Sequence, residues 1–121
     1  GELNRPMDGA RLTDVQAEAD AFFEENPTAI GVAMLRSDQK GFELYEDGKA
    51  IFVAFGAVSN LRTRTRVKSI EGSEICLEKT ENWGGACMSI YENPNGTYFL
   101  DGNFGNGFPI TETVAATPIF E

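Results

Sequence analysis

The chain has 121 residues, 41% hydrophobic and 24% charged, the proportions of one compact domain with its own core and little room for a second. Ten Lys and Arg stand against 19 Asp and Glu, a net charge of −9, which opposes nucleic acid and anionic membrane surfaces as partners. Histidine is absent, which removes the commonest general base and every Ser–His or Cys–His nucleophile pair.

Residues 1–11 (GELNRPMDGAR) hold two Gly and one Pro with few large apolar side chains, and read as a mobile lead-in to a single domain over 12–121. The chain opens on Gly1 rather than Met and carries no run of 18 apolar residues and no basic-then-apolar leader. The expectation is a chain without a membrane span, from which an export signal has been removed. Thr13 followed by Gln16 has the form of a capping box, with Leu12 and Ala17 as a weak hydrophobic staple. Val15, Ala19, Phe22 and Phe23 then share one helical stripe, which predicts a helix over about 13–25, ended by Asn26-Pro27 and packed on the sheet through both phenylalanines.

Beyond Pro27 the hydrophobic period falls to two. Strands are expected over 29–36, 41–46, 49–55, 61–70, 73–79, 85–92, 96–101 and 112–120, with Asp47-Gly48, Glu71-Gly72 and Asn95-Gly96 as tight connections. Hairpin following hairpin makes an antiparallel up-and-down meander. With one helix to cover it, a mainly β fold closed into a small barrel or strongly curved sheet protects its edges most economically.

Within 61–70, Arg62, Arg64, Arg66 and Lys68 alternate with Thr63, Thr65 and Val67. A three-residue turn at 71–73 sets Lys68 and Arg66 opposite Cys76 and Glu78 on an acidic outer face. A two-residue turn sends them to the apolar side, where burial is costly, so the longer turn is expected. The row is a candidate anion site; its plainer reading is a solvated outer strand balanced by Glu74 and Glu78.

Cys76 and Cys87 are the only cysteines. If Lys79 pairs with Gly84 across a turn near 80–83, the two thiols face each other in the ladder, close enough for a disulfide; buried free thiols are the alternative. A bridge implies an oxidising compartment, periplasmic or extracellular. The spacing is not C-x-x-C, which argues against a redox centre or a zinc knuckle.

Residues 101–109 (DGNFGNGFP) are the densest Gly/Asn stretch. They read either as a flexible lip that presents Phe104 and Phe108 at a cavity mouth, or as an irregular connection whose phenylalanines seal the barrel end. Trp83, beside Gly84-Gly85, is a binding aromatic or a lid on the core. Asp101, Asn103 and Glu112 take positions 1, 3 and 12 of a calcium loop, but Asn106 stands where its glycine belongs, so no metal and no cofactor is expected. Glu74, Glu92 and Asp101 are among many carboxylates from which a histidine-free hydrolase is conceivable.

The order Tyr45-Glu46-Asp47-Gly48-Lys49, then Ile70 through Cys76, then Cys87 followed by Tyr91 and Asn95-Gly96-Thr97-Tyr98 resembles small exported bacterial domains of unknown function with a calycin-like, lipocalin-like barrel. The likeness covers roughly residues 40–101. It implies an export signal upstream, a Cys76–Cys87 bridge and a non-catalytic role, and it transfers no functional residues.

The leading expectation is therefore a non-catalytic periplasmic or secreted binding module, monomeric or weakly dimeric. It would hold a small apolar or amphipathic ligand, or a protein partner, at Phe104, Phe108 and Trp83, with the Arg62–Lys68 row as a weaker anion site. A carboxylate-based hydrolase is second, and a structural or inhibitory surface protein with a filled barrel third.

Overall fold

A computed structural model describes residues 5–36, 40–54 and 61–121. The order is β1 (Arg11–Leu12), α1 (Val15–Glu25), β2 (Gly31–Leu35), β3 (Gly41–Tyr45), β4 (Lys49–Val53), β5 (Arg62–Glu71), β6 (Glu74–Leu77), β7 (Ala86–Glu92), β8 (Tyr98–Phe104) and β9 (Pro109–Ile119). From β2 to β9 each strand pairs antiparallel with its successor, and β9 returns to β2, so eight strands close a barrel. Closure follows from the alternation of the strands. Phe42, Phe52, Met88, Ile90, Leu100 and Val114 point inward and are buried, and a sheet with one continuous apolar face hides it by curling around it.

The interior is filled by its own side chains. A void of about 10 Å3 remains among Met34, Phe42, Leu44, Ile75, Leu77, Met88, Ile90 and Leu100, less than a bound ligand needs. One end is covered by α1, whose Val15, Ala19 and Phe22 bound a pocket of about 60 Å3 with Val32, Leu44, Ile90 and Tyr98. Phe22 and Phe23 are half-buried rather than fully packed; Phe22 lines that pocket, and Phe23 meets it edge-on with ring centroids 5.4 Å apart. The helix is latched by Val15 N–H donating to Gly72 O at 2.8 Å and by the Tyr98 hydroxyl donating to Glu18 Oε2 at 3.0 Å.

The helix cap differs from the expected box. Asp14 is the N-cap, its Oδ1 accepting from Ala17 N–H at 3.2 Å, a position where a carboxylate also meets the positive end of the helix dipole. Thr13 is buried and donates its hydroxyl to Ile90 O at 2.7 Å. Of the expected lead-in, residues 1–4 lie outside the described residues. Met7 N–H donates to buried Asn93 Oδ1 at 3.0 Å, and Arg11 and Leu12 pair with Glu92 and Tyr91 on β7.

The β5–β6 connection is the two-residue turn, not the three-residue one: Glu71 faces Glu74 across Gly72-Ser73. The cations nonetheless stay outside, because the register slips by one at Lys68. Ser69 faces Cys76 while Val67 faces Leu77, and a β-bulge of one residue exchanges the two faces of a strand. Val67 and Ile70 both pack on the core, on either side of the slip. Each turn length is thus correct for half of the strand.

The glycine-rich stretch is also more regular than expected. β8 runs through Phe104 and β9 begins at Pro109, which leaves only 105–108 as a connection. A Cβ at Gly102 would collide with the Cys87 carbonyl, and one at Gly105 with the Gly84 carbonyl. These glycines admit close backbone contact rather than movement.

Cys76 faces Cys87 in the ladder and the two form a disulfide, with Cα atoms 4.1 Å apart. Replacing both by Ser should lower the free energy of unfolding by about 2–3 kcal/mol in urea titrations, the magnitude for a bridge closing a short loop. Tyr98 gives a pH test. Burial, first, and the Glu18 carboxylate, second, hold its hydroxyl well above the ordinary phenol range. A raised pKa contributes stability that is complete below the unfolded value of about 10 and lost as pH rises beyond it. The protein should therefore lose stability progressively as pH rises above about 10, and Tyr98→Phe should reduce that loss while costing about 1 kcal/mol at neutral pH.

Candidate functional site

The aromatic candidates meet at the barrel end opposite α1. Thr80 and Trp83 bridge to each other in the turn after β6, which sets the indole on Phe52 with ring centroids 5.2 Å apart and planes at 13°. Phe104, inward on β8, meets Phe52 at 5.3 Å and Trp83 at 6.3 Å, edge to face. The three rings seal the end by mutual apolar contact. Phe108, by contrast, is 68% exposed in the 105–108 connection. Trp83 and Phe104 are therefore lids on the core, and the expected mobile lip that carries Phe104 and Phe108 together is not formed.

The cationic row divides into three. Arg62 forms a two-pronged ion pair with Glu43, Nη1 to Oε2 at 3.1 Å and Nη2 to Oε1. Tyr45 donates its hydroxyl to the same carboxylate at 2.9 Å. Burial and the Glu43 carboxylate raise the Tyr45 pKa, and the Glu43 hydrogen bond raises that of Arg62. The Tyr45 ring lies where Gly31 has no side chain: a Cβ there would sit 2.9 Å from Cδ1 of the ring. Lys68, at the bulge, lines a separate depression with Lys79, Cys87 and Asn103.

Arg64 and Arg66 remain. Both are exposed, and among the described residues neither makes an ion pair. They bound a groove of about 750 Å3 on the outer wall with Ile30, Tyr45, Lys49, Ile51, Glu78 and Lys79. Strand parity places Tyr45, Lys49 and Ile51 outside, because Leu44, Ala50 and Phe52 point inward. Lys49 is held by Asp47, Nζ to Oδ2 at 3.3 Å, and the Lys49 N–H that Asp47 accepts lowers the carboxyl's pKa. The groove thus offers apolar surface beside two guanidinium groups that form no direct ion pair among the described residues; Glu46, Asp47 and Glu78 also line it, and Asp47 lies within electrostatic reach of Arg66. Of its lining, sequence reading singled out only the arginines as a site. The alternation of 41–46 and 49–55 contained the rest, but which strands lie beside β5 was not available from spacing.

The carboxylates weighed for hydrolysis are less well placed. Glu92 pairs with Arg11 at 2.9 Å. Glu74 and Asp101 both flank Ser89 in register on the outer wall, about 10 Å apart across two strand spacings. Both are exposed, whereas a general acid keeps its proton near neutral pH through burial or a charged neighbour. Among the described residues no group of three His, Cys, Asp or Glu is placed to hold a metal ion, and no helix is long and apolar enough to cross a membrane.

The different placement of the two phenylalanines is measurable. Phe104→Ala should cost about 2–3 kcal/mol in denaturant unfolding, the lower range for a ring packed on the core but partly exposed, whereas Phe108→Ser should change stability by less than about 0.5 kcal/mol. Similarity does not extend these assignments: no protein-family model, curated protein or solved structure matches the chain.

Proposed function

We propose that the chain is a non-catalytic binding module with a calycin-like barrel, acting in the periplasm or outside the cell, and that it engages a protein partner on its outer wall rather than a ligand in its interior. The observation that carries this reading is the contrast in free space: a void of about 10 Å3 inside against a groove of about 750 Å3 outside. Lipocalin-like ligand capture needs an open mouth and an empty centre. Here one end lies under α1, the other under Phe52, Trp83 and Phe104. The pocket of about 60 Å3 beneath α1 is well below the roughly 300 Å3 or more of an ordinary ligand site. The disulfide supports the oxidising compartment.

The test is selection of short random peptides on the immobilised, oxidised protein, followed by amide chemical-shift mapping with the enriched sequences and, separately, with lauric acid. Peptide-induced shifts at Tyr45, Lys49, Ile51, Arg64 and Arg66 are expected, with Met88 and Leu100 unmoved. Shifts of Met88 and Leu100 on adding lauric acid would overturn the outer-wall reading in favour of an interior site. So would peptide enrichment no greater than on the immobilisation surface without the protein.

A further inference from the structure

β5 outruns the strand that pairs with it. Its ten residues face a β6 of four, and their ladder begins only at Val67 and Leu77. One more bond extends it, from Glu78 N–H to Arg66 O at 2.9 Å. The chain then departs into the Thr80–Trp83 turn. On its other edge, β5 is paired with β4 throughout Arg62–Arg66. The direction of the backbone groups follows from the bonds at both ends of that ladder: Val67 N–H donates to Gly48 O, and Leu61 O accepts from Ala54 N–H. Residues of that parity turn their N–H and C=O toward β4. Arg62 and Arg64, of the other parity, turn theirs into the lane that β6 has left. Among the described residues no backbone group meets them there. The outer-wall groove runs beside this lane, between Arg64 and Arg66 on one bank and Lys79 and Thr80 on the other.

We infer that this open edge of β5 takes up an extended, acidic segment of the partner protein as an added antiparallel strand, in the lane that β6 vacates, with carboxylates at alternate positions meeting Arg64 and Arg66. The inference rests on the outer-wall reading and specifies its occupant. An added strand supplies partners to two N–H and two C=O groups that no backbone group of the described residues meets. Its alternate side chains repeat at about 6.5–7 Å, as do Arg64 and Arg66 on β5, so each guanidinium receives its own carboxylate in a charge-assisted bond. Arg62 needs none, being bound to Glu43. Charge also selects against other occupants. A second copy of β5 would set arginine opposite arginine, and a basic segment would do the same; like charges across a ladder are destabilising. Charged side chains on an open edge also guard against aggregation, a role that requires no partner, and the experiment separates the two.

The probe is a capped peptide, Thr-Glu-Val-Glu-Val-Glu-Thr, titrated into the 15N-labelled, oxidised protein, beside its Lys-for-Glu counterpart. In an antiparallel strand the residue that exchanges both bonds with Arg64 has its side chain on the same face as Arg64, and is therefore a Glu. N-methylation of the Glu amides should weaken binding about tenfold or more, while N-methylation of the Val amides, which face away, should cost less than about threefold. The Arg64 amide should gain about tenfold or more protection from hydrogen exchange at saturation. Arg64→Glu combined with Arg66→Glu should lose about tenfold or more in affinity with an unchanged circular dichroism spectrum. If both methylated peptides bind alike, or Arg64 exchange is unchanged, strand addition is overturned while shifts at Tyr45 and Ile51 would leave the outer-wall reading standing. If the acidic peptide does not bind, or the Lys peptide binds as well, the inference falls and the arginines are edge guards.

Discussion

Closure of the sheet through β9 is the constraint on which the rest depends. Its first six residues, Pro109–Val114, pair with β8, and its last five, Ala115–Ile119, with β2. One strand thus spends its two halves on two neighbours, the stagger that a tilted barrel demands. Once that stagger is set, each strand has one inward set of side chains and a fixed volume to fill. Phe42, Ile75, Leu100 and Val114, all inward, are all but completely removed from solvent. A barrel of eight strands has an interior just wide enough for its own side chains, and here they occupy it. Binding chemistry is thereby displaced to the wall and the loops.

The disulfide and the open edge of β5 both trace to one short strand, β6. β6 has four residues and is paired on both sides, with β5 and with β7, and the Cys76–Cys87 bridge ties it to β7. A strand so short gains little from its ladder alone, and the covalent tie fixes its register against β7. The chain leaves β5 after Glu78 because Trp83 is needed over Phe52, and the Thr65 hydroxyl, donating to Glu78 O at 2.5 Å, marks the point of departure. Sealing the barrel end and leaving β5 uncovered are two results of one chain path.

Local rules served well where the governing interaction is local. The strand boundaries from Gly31 to Glu92 follow alternation and turn residues, and the pairing of Cys76 with Cys87 follows from the number of residues between them. They failed where two local solutions are nearly equivalent. Thr13 and Asp14 can each cap a helix, and only the buried contact of Thr13 with Ile90 decides between them. The stretch 101–109 looked irregular because Gly102 and Gly105 carry no strand preference, although their lack of a Cβ is what lets β8 approach β7 and the 78–85 segment. A sealing role for Phe104 and a lid role for Trp83 were each legible as one of two readings, but their meeting on Phe52, and the outer-wall groove, were not. Trp83, Phe52 and Phe104 come from three separate hairpins, and Tyr45, Lys49 and Arg64 from three strands, so their meeting depends on strand order and stagger.

Lys68 is the residue skipped by the ladder. It divides β5 into two segments of opposite phase, one with Val67 inward and one with Ile70 inward. The identity of the side chain at 68 is of little account to this arrangement; the presence of a residue there is what counts. The sign of the outer wall is therefore written in chain length. Along this stretch, lineages that carry this barrel should tolerate exchange of one amino acid for another far better than insertion or deletion of a single residue, since losing one position would turn three arginines toward a core that has no space or counter-charge for them.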